Sequence, residues 1–306
     1  MIRQSFFVSL EWKYGKIVIY EKNMYGGRAM KRELDDRNVK WAFTHGGIFH
    51  ADDVFAAALL RIAYPEILIE RGNQVPEHYD GLIFDIGRGR YDHHQQDRKV
   101  RENGVPYASF GLLWQELGEM LLEKEDAERF DEEFVQPIDE ADNTGKRNPL
   151  TQCISDLNPV WNEKRKQEEA FESAVAFAKT VLERRFLCIR AERTAYRKVR
   201  AMMKSADDHI LIMEQAMPWK DALIGTDICY VIYPSIRGGY LIQAVPDDTD
   251  LGRVKKDFPE AWWGQEKDAL QRMTGIKTLS FCHMSGFLCA AETLEDAILT
   301  AKQALR

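Results

Sequence analysis

From Val39 onward, short apolar runs alternate with stretches whose apolar residues recur every three or four positions. Val39 to His45 (VKWAFTH) reads as a strand ending at His45, and GGIFH as a turn opened by glycine. ADDVFAAALLRIAY reads as a helix, apolar at Val54, Ala57, Ala58 and Ile62, with acids in its first turn. ILIERG is a second short strand. Gly81 to Gly87 (GLIFDIG) is a third, apolar enough for burial in a parallel sheet. Strand, helix and strand in this order predict an α/β fold with a doubly wound parallel sheet. Ligands of such sheets sit at the carboxyl ends of the strands, where His45 and Asp85 fall.

Further along, PYASFGLLWQELGEMLLEK is an amphipathic helix, and AERFDEEFVQPIDEADNTG follows as another, interrupted near Pro137. From Asn162 to about Ser205 the chain is highly charged, has helical periodicity and lacks Gly and Pro, which predicts one or two long helices. HILIMEQ, CYVIYPS and GYLIQAVPD read as strands, the last two joined by a turn at Arg237 to Gly239. GQEKDALQRMTG is a helix, TLSFCHMSGFLCAAE holds one or two strands broken at Gly286, and Thr293 caps a final helix. Ahead of all this, Ser5 to Tyr20 alternates as a hairpin does, and Arg28 to Lys40 is charged. The expected organisation is an accessory extension over 1–38 and a catalytic sheet domain over 39–160. A helical linker (161–205) and a smaller C-terminal α/β domain (206–306) complete it.

Composition narrows the class. The 306 residues are 45% hydrophobic, enough for two cores. Net charge is −7 with a pI near 5.6, a field that repels polyanions, so a nucleic-acid substrate requires a local basic patch. Five cysteines without a CxxC pair point to a reducing compartment. The N-terminus has no run suited to a signal peptide, and no apolar stretch reaches the roughly 18 residues of a membrane span. A cytoplasmic protein with no membrane partner is expected.

Four of the seven histidines fall in two clusters. THGGIFHADD carries His45, His50, Asp52 and Asp53, and FDIGRGRYDHHQ carries Asp85, Asp92, His93 and His94. IDEADN adds Asp139, Glu140 and Asp142. One histidine at a strand end is ordinarily a hydrogen-bonded structural residue, and Asp52 or Asp53 alone would be a helix cap. Two His/Asp clusters, each following a predicted buried strand, carry more weight. Imidazole with carboxylate suits Mn, Fe, Co or Zn. Six or seven such ligands suffice for two divalent ions sharing a carboxylate, an arrangement that acidifies water and clamps both oxygens of a displacement at phosphorus.

At these residues the chain resembles the melanocyte-proliferating-gene family, a branch of the DHH phosphoesterases. TH-G-x-FH-x-D, the strand-borne Asp85, YDHHQ and EADN carry the likeness, followed by WKDAL, CYVIYPS, QAVP, FPEAWWG, LQRMTGI and FCHMSGF. It covers roughly residues 39–306 and gives residues 1–40 no counterpart. The resemblance implies a DHH-type sheet domain and a DHHA1-like C-terminal domain. It implies His45, His50 and Asp85 as ligands of one ion, and Asp52, Asp85, His93 and Asp142 as ligands of the other, Asp85 bridging. Mn²⁺ is the expected metal, with Mg, Co, Fe and Zn as alternatives. It also places His94 against the substrate phosphate and gives His283, with Ser285 and Gly286, a substrate-binding role as the C-terminal domain closes. The implied activity is 3′–5′ exonuclease action on RNA. A small-molecule pyrophosphatase or nucleotide phosphatase with the same ions, and a non-enzymic metal-binding regulator, are the rival readings. Homo-oligomers are compatible with all three.

Secondary candidates surround this set. Arg88, Arg90, Arg98, Lys99 and Arg101 flank the DHH motif and could hold phosphate, or form a solvated loop. Of these, Arg98 is the substrate-binding choice. Arg237, Lys255, Lys256 and Arg272 are weaker candidates in the second domain. Trp219, Trp262 and Trp263 suit base stacking or, more readily, packing. His78 and His209 read as structural, Asp53 as a cap, and Asp139 as the alternative to Asp142.

Overall fold

The computed structural model describes residues 8–13, 16–21, 39–248 and 252–306. Strands β1 (Val8–Lys13) and β2 (Lys16–Glu21) pair antiparallel, the hairpin expected in the extension. The rest of the extension, with its charged run up to residue 38, lies outside the described residues. The chain then divides into two compact units, Met1–Phe186 and Leu187–Arg306.

In the first unit, β3 (Trp41–His45) leads through α1 (Ala51–Ala63) to β4 (Leu68–Gly72), and β5 (Leu82–Ile83) follows. All pair parallel in the order β4-β3-β5, so β3 is central. The segment GLIFDIG forms a much shorter strand than its apolar run predicts. Its ladder ends because Asp85 turns into the left-handed region (φ 55°) and donates its N–H to the Tyr91 carbonyl at 3.0 Å. Helix α1 is buried along every face from Ala51 to Leu60, wider than an amphipathic stripe requires. The alanines Ala56, Ala57 and Ala58 permit this by letting the elements around α1 approach closely.

The helices α2 (Ser109–Leu121), α3 (Lys124–Phe130) and α4 (Gln136–Thr144) follow. A π turn at Asp131–Val135 joins the last two. Pro137, in the first turn of α4, has no N–H to offer the preceding turn, and the widened turn absorbs the missing bond. Next come α5 (Pro149–Ser155), capped by Asn148, and α6 (Gln167–Met202), a single helix of 36 residues. The division between the units falls within α6.

The second unit continues with β6 (Ile210–Ile212), α7 (Lys220–Leu223), β7 (Tyr230–Pro234) and β8 (Tyr240–Ala244). It closes with α8 (Lys267–Thr274), β9 (Leu279–Cys282), β10 (Leu288–Ala291) and α9 (Leu294–Leu305). The sheet order is β6-β7-β8-β10-β9, parallel only between β6 and β7. Strand alternation feeds two cores. Tyr230 and Ile232 pack with Phe258, Leu270 and Ala301 on one side, while Val231 packs with Trp219, Leu223 and Val199 on the other. Trp219 and Trp262 are therefore core residues, and Trp263 donates its indole N–H to the Phe258 carbonyl. Lys255 is equally structural, since its Nζ donates to the carbonyls of Leu223 (2.8 Å), Thr226 (2.7 Å) and Ile228 (3.2 Å).

Replacing Lys255 by Met keeps the aliphatic stem and takes the Lys255 donor from the Thr226 and Ile228 carbonyls, while Leu223 keeps its bonds from Thr226. The expected loss is about 1–3 kcal/mol, read as a lowered urea midpoint. A midpoint equal to wild type would contradict the assignment.

Candidate metal centre

The strand order places the site. Central strand β3 ends at His45 and its neighbour β5 ends just before Asp85, while the chain leaves β3 toward β4 on the other side. The crevice at such a switch point is where α/β sheets bind ligands. Helix α1 begins six residues after His45 and presents Asp52 and Asp53 from its first turn. The loop after β5 returns Asp92, His93 and His94, and α4 supplies Asp142.

These side chains form two groups joined at Asp85. On one side, His45 Nε2 lies 3.3 Å from Asp53 Oδ2 and 3.3 Å from Asp85 Oδ2. On the other, His93 Nδ1 lies 3.4 Å from Asp85 Oδ1 and 3.8 Å from Asp52 Oδ2, and His93 Nε2 lies 3.0 Å from Asp142 Oδ2. Asp85 thus turns one carboxylate oxygen to each group. His94 stacks on His93 with ring centroids 4.1 Å apart, and its Nδ1 is 2.8 Å from Asp92 Oδ1. Its side chain is 61% exposed, so it forms the rim of the site.

Five of the six expected ligands, His45, Asp52, Asp85, His93 and Asp142, therefore converge within the two groups. His50 stands slightly apart. Its ring centroid is 5.8 Å from that of His45, and it lines the adjoining cleft with His93, His94, Arg98 and Asp142. It also shares a cleft with His45, Asp85 and Asp142, and Asp53 stands beside His45 as well. Asp53 does cap α1, accepting the His50 N–H through Oδ1 at 2.7 Å, but Oδ2 faces His45. The sequence signal available was the Asp-Asp pair itself, since consecutive helix residues point 100° apart and serve two groups.

Asp139 has a different task. It is fully buried, accepts the Gly111 N–H at 3.1 Å and pairs with Arg101 Nη2 at 2.8 Å. Arg101 also grips both Asp131 oxygens and lies over the Tyr107 ring at 3.8 Å. It is a structural cation, not a phosphate ligand. Arg90 pairs with Glu116. Arg98, exposed on the cleft wall and bonded to Asn143 Oδ1 at 3.2 Å, and Arg88, beside the Asp85 cleft, keep positions facing the site. His283, Ser285 and Gly286 lie in the second unit, in the β9–β10 turn. There the Ser285 N–H donates to His283 Nδ1 at 3.0 Å and Gly286 adopts φ 64°.

Electrostatics test whether cations fit. Asp53 Oδ2 is buried and accepts no hydrogen bond. Burial, with Asp85 nearby, pushes its carboxyl up to about 7 against the opposing pull of His45. Burial, with the charges of Asp85, Asp142 and Asp139, holds Asp52 well above the carboxylate range. Burial alone would lower His45, but Asp85, Asp53 and the Gly46 carbonyl outweigh it and raise the ring to about 9. Asp92 goes the other way, since the N–H groups of His94 and Arg88 outweigh its burial. Protons thus stand where positive charge is in demand, and this mixed N/O donor set fits divalent transition ions. His45, Asp53 and Asp85 form one group that could hold such an ion, and Asp52, His93 and Asp142 form another.

Comparison with known proteins places the chain. Residues 41–305 match the MYG1 exonuclease family, described as an uncharacterised protein family, UPF0160. The chain belongs to this family. The family match opens on the first residue of β3, as the motif resemblance from about residue 39 anticipates. Among its relatives, the MYG1 protein of Schizosaccharomyces pombe is 28% identical over 317 residues, covering 86% of this chain and 96% of the relative. Human MYG1 exonuclease is 29% identical over 319 residues, covering 86% and 85%. Rat MYG1 exonuclease is 28% identical over 322 residues, covering 86% and 84%. No solved structure matches.

Two outcomes follow from this electrostatic balance. Asp53 titrates near 7 against an ordinary 3.8, so its ionisation penalty grows as pH rises toward and through 7. The His45 charge stabilises fully below 6.5 and is lost as pH climbs through about 9. Chelator-treated protein should therefore lose thermal stability from pH 6 to pH 9, while the stabilisation given by added Mn²⁺ grows over that interval. A chelated protein that becomes more stable toward pH 9 would contradict both assignments. Separately, a Cβ at Gly111 would collide with the Asp139 carboxylate. Gly111→Ala should then destabilise by about 2 kcal/mol or more, although Ala ordinarily favours a helix by about 1 kcal/mol. Arg101→Ala should cost about 3–5 kcal/mol by stranding Asp139. Thermal melts check both signs.

Proposed function

We propose that this chain is a metal-dependent phosphoester hydrolase that releases nucleotides from single-stranded RNA or short oligonucleotides in the 3′–5′ sense. The single observation that carries the reading is Asp85, whose two oxygens face two separate His/Asp groups 3.3 and 3.4 Å away. A carboxylate placed between the two groups could serve divalent ions held on either side, and Mn²⁺ would suit the mixed donors. Bound ions would supply Lewis acidity, generating a nucleophile from water near neutral pH and offsetting phosphate charge. The names of the human and rat relatives point the same way. A DHH-type catalytic domain followed by a DHHA1-like domain accounts for the motif order.

The protein's own groups have distinct tasks. Asp52 is held rigid by the N–H groups of Ser109 (2.9 Å) and Phe110 (2.7 Å), and the Ser109 hydroxyl donates to Asp85 Oδ1 at 3.2 Å. Both carboxylates are preorganised before substrate arrives. Asp92 takes the Nδ1 proton of His94 and fixes its ring, so that Nε2, when protonated, donates to a phosphoryl oxygen. Arg98 on the cleft wall adds a charge-assisted contact to phosphate. At His283, the Ser285 N–H assigns the acceptor role to Nδ1 and the proton to Nε2. Its part in substrate binding rests on the family likeness.

The test is release of mononucleotides from end-labelled single-stranded RNA in Mn²⁺. His93→Ala should lower the rate by at least about 100-fold, and His94→Ala should lower kcat by about 10- to 1000-fold. Equal release by wild type and His93→Ala would sink the proposal. Orthophosphate from pyrophosphate or nucleotides, with RNA left intact, would instead favour the small-molecule phosphatase reading, toward which the net charge of −7 leans. No turnover on any phosphoester would favour the regulatory one.

A further inference from the structure

The two groups at the candidate centre are alike in formal charge and unlike in surroundings. His45, Asp53 and Asp85 form one, and Asp52, His93 and Asp142 the other, each an imidazole with two carboxylates. A helix N-terminus faces each of them. Asp53 accepts the His50 N–H at the start of α1, and Asp52 accepts the N–H groups of Ser109 and Phe110 at the start of α2. These partial charges are similar on the two sides. Arg71, near the end of β4, breaks the match. Its Nη2 lies 4.0 Å from Asp53 Oδ2, and its side chain is 5% exposed. Among the described residues, no Lys or Arg comes within 4.0 Å of the Asp52 or Asp142 carboxylate, which face His93 instead.

Arg71 is held by contacts that leave its charge largely uncompensated. Nη2 donates to the Gly47 carbonyl at 3.0 Å, and the guanidinium carbon lies 4.1 Å from the Phe171 ring centroid. Nε and Nη1 are buried and have no hydrogen-bond partner. Glu168 and Glu172 of α6 also act on it, but both are exposed, and Glu172 is paired with both Arg61 Nη atoms at 2.7 and 2.8 Å. A buried cation acts through a medium that screens it far less than water does. Arginine does not lose its proton in proteins, so this field is permanent. It repels any positive charge that comes to Asp53, and an ion of charge two twice as strongly as a proton. A unit charge about 4 Å away in a partly buried site can change a binding constant by more than tenfold.

We propose that Arg71 makes the two ion positions unequal, so that the group at Asp53 takes its ion weakly and last, and the group at Asp52 takes its ion tightly and first. This rests on the hydrolase reading for there being two ions, and deepens it. Occupancy of the weaker position then sets the metal concentration at which the enzyme works. Arg71 is a positioning residue, since its buried side chain acts through Asp53 and not on substrate.

The test is titration of the chelator-treated, dialysed full chain with Mn²⁺, free ion being read from its electron paramagnetic resonance signal. Wild type should bind two ions with dissociation constants at least about 10-fold apart. Repulsion between two ions would separate the constants even without Arg71, so the variants decide. Arg71→Met keeps an aliphatic stem and removes the charge. It should tighten the weaker position at least about 5-fold and move the stronger one far less. Arg71→Lys keeps a charge without the planar fork and should bind as wild type does. His45→Ala should remove the weaker position, and His93→Ala the stronger. If Arg71→Met fails to fold, Arg71→Gln replaces it. A structural role alone would loosen both positions in Arg71→Met. That result, an unchanged weaker position, a Lys variant that tightens as much as Met, loss of the stronger position in His45→Ala, or a single bound ion in wild type each overturns the proposal. Release of mononucleotides from RNA by wild type is scored separately. Turnover with Arg71-independent ion binding removes the asymmetry alone, and Arg71-dependent binding of two ions without turnover removes the hydrolase reading alone.

Discussion

Everything at the candidate centre depends on how five buried carboxylates, Asp52, Asp53, Asp85, Asp92 and Asp139, are tolerated close together. Helix α2 supplies much of the answer. Its N-cap position is Ala108, which has no side chain able to accept the first free N–H groups. Asp52, from α1, takes the N–H groups of Ser109 and Phe110, and Asp139, from α4, takes that of Gly111. The positive end of the helix thus faces the acidic cluster, and the helix is capped by residues far away in sequence. Cap and ligand cradle are one structure. The same constraint requires glycine at position 111, because a Cβ there would occupy the space of the Asp139 carboxylate.

Helix donors meet only part of the demand. Asp53 Oδ2 remains without a donor, and His45 and Asp53 both rise toward protonation because protons are the available source of positive charge. Metal ions would replace those protons with a stronger, fixed charge. Stability and chemistry are linked here: groups that cost free energy in the ion-free protein are those that would grip the ions.

Charge is divided on a larger scale as well. The metal centre gathers acids, and the end of α6 gathers arginines, although the chain as a whole is acidic. Net charge alone argues against a polyanionic substrate. Field near a surface follows local charge over about a Debye length, roughly 10 Å at 0.1 M salt, so net charge and local charge are separate quantities here.

Much of this was legible in one dimension. The apolar run ending at His45 marked that strand's terminus, the run from Gly81 to Gly87 marked a strand but overran its end at Ile83, the Gly-started loop marked the turn into α1, and the motif order carried the family. Those signals are local, set by a few consecutive residues and their periodicity. What tertiary structure decided is of another kind. It put Asp142 against His93 and gave Asp139 to Arg101 and Gly111, two acids on one helix that sequence could not tell apart. It turned Asp53 Oδ2 toward His45 while Oδ1 kept its capping bond, and set His50 on the cleft wall. It consumed Arg101 and Lys255 in structural contacts. Each outcome depends on which partner lies opposite in space, and that is fixed only when the sheet, α2 and α4 have packed.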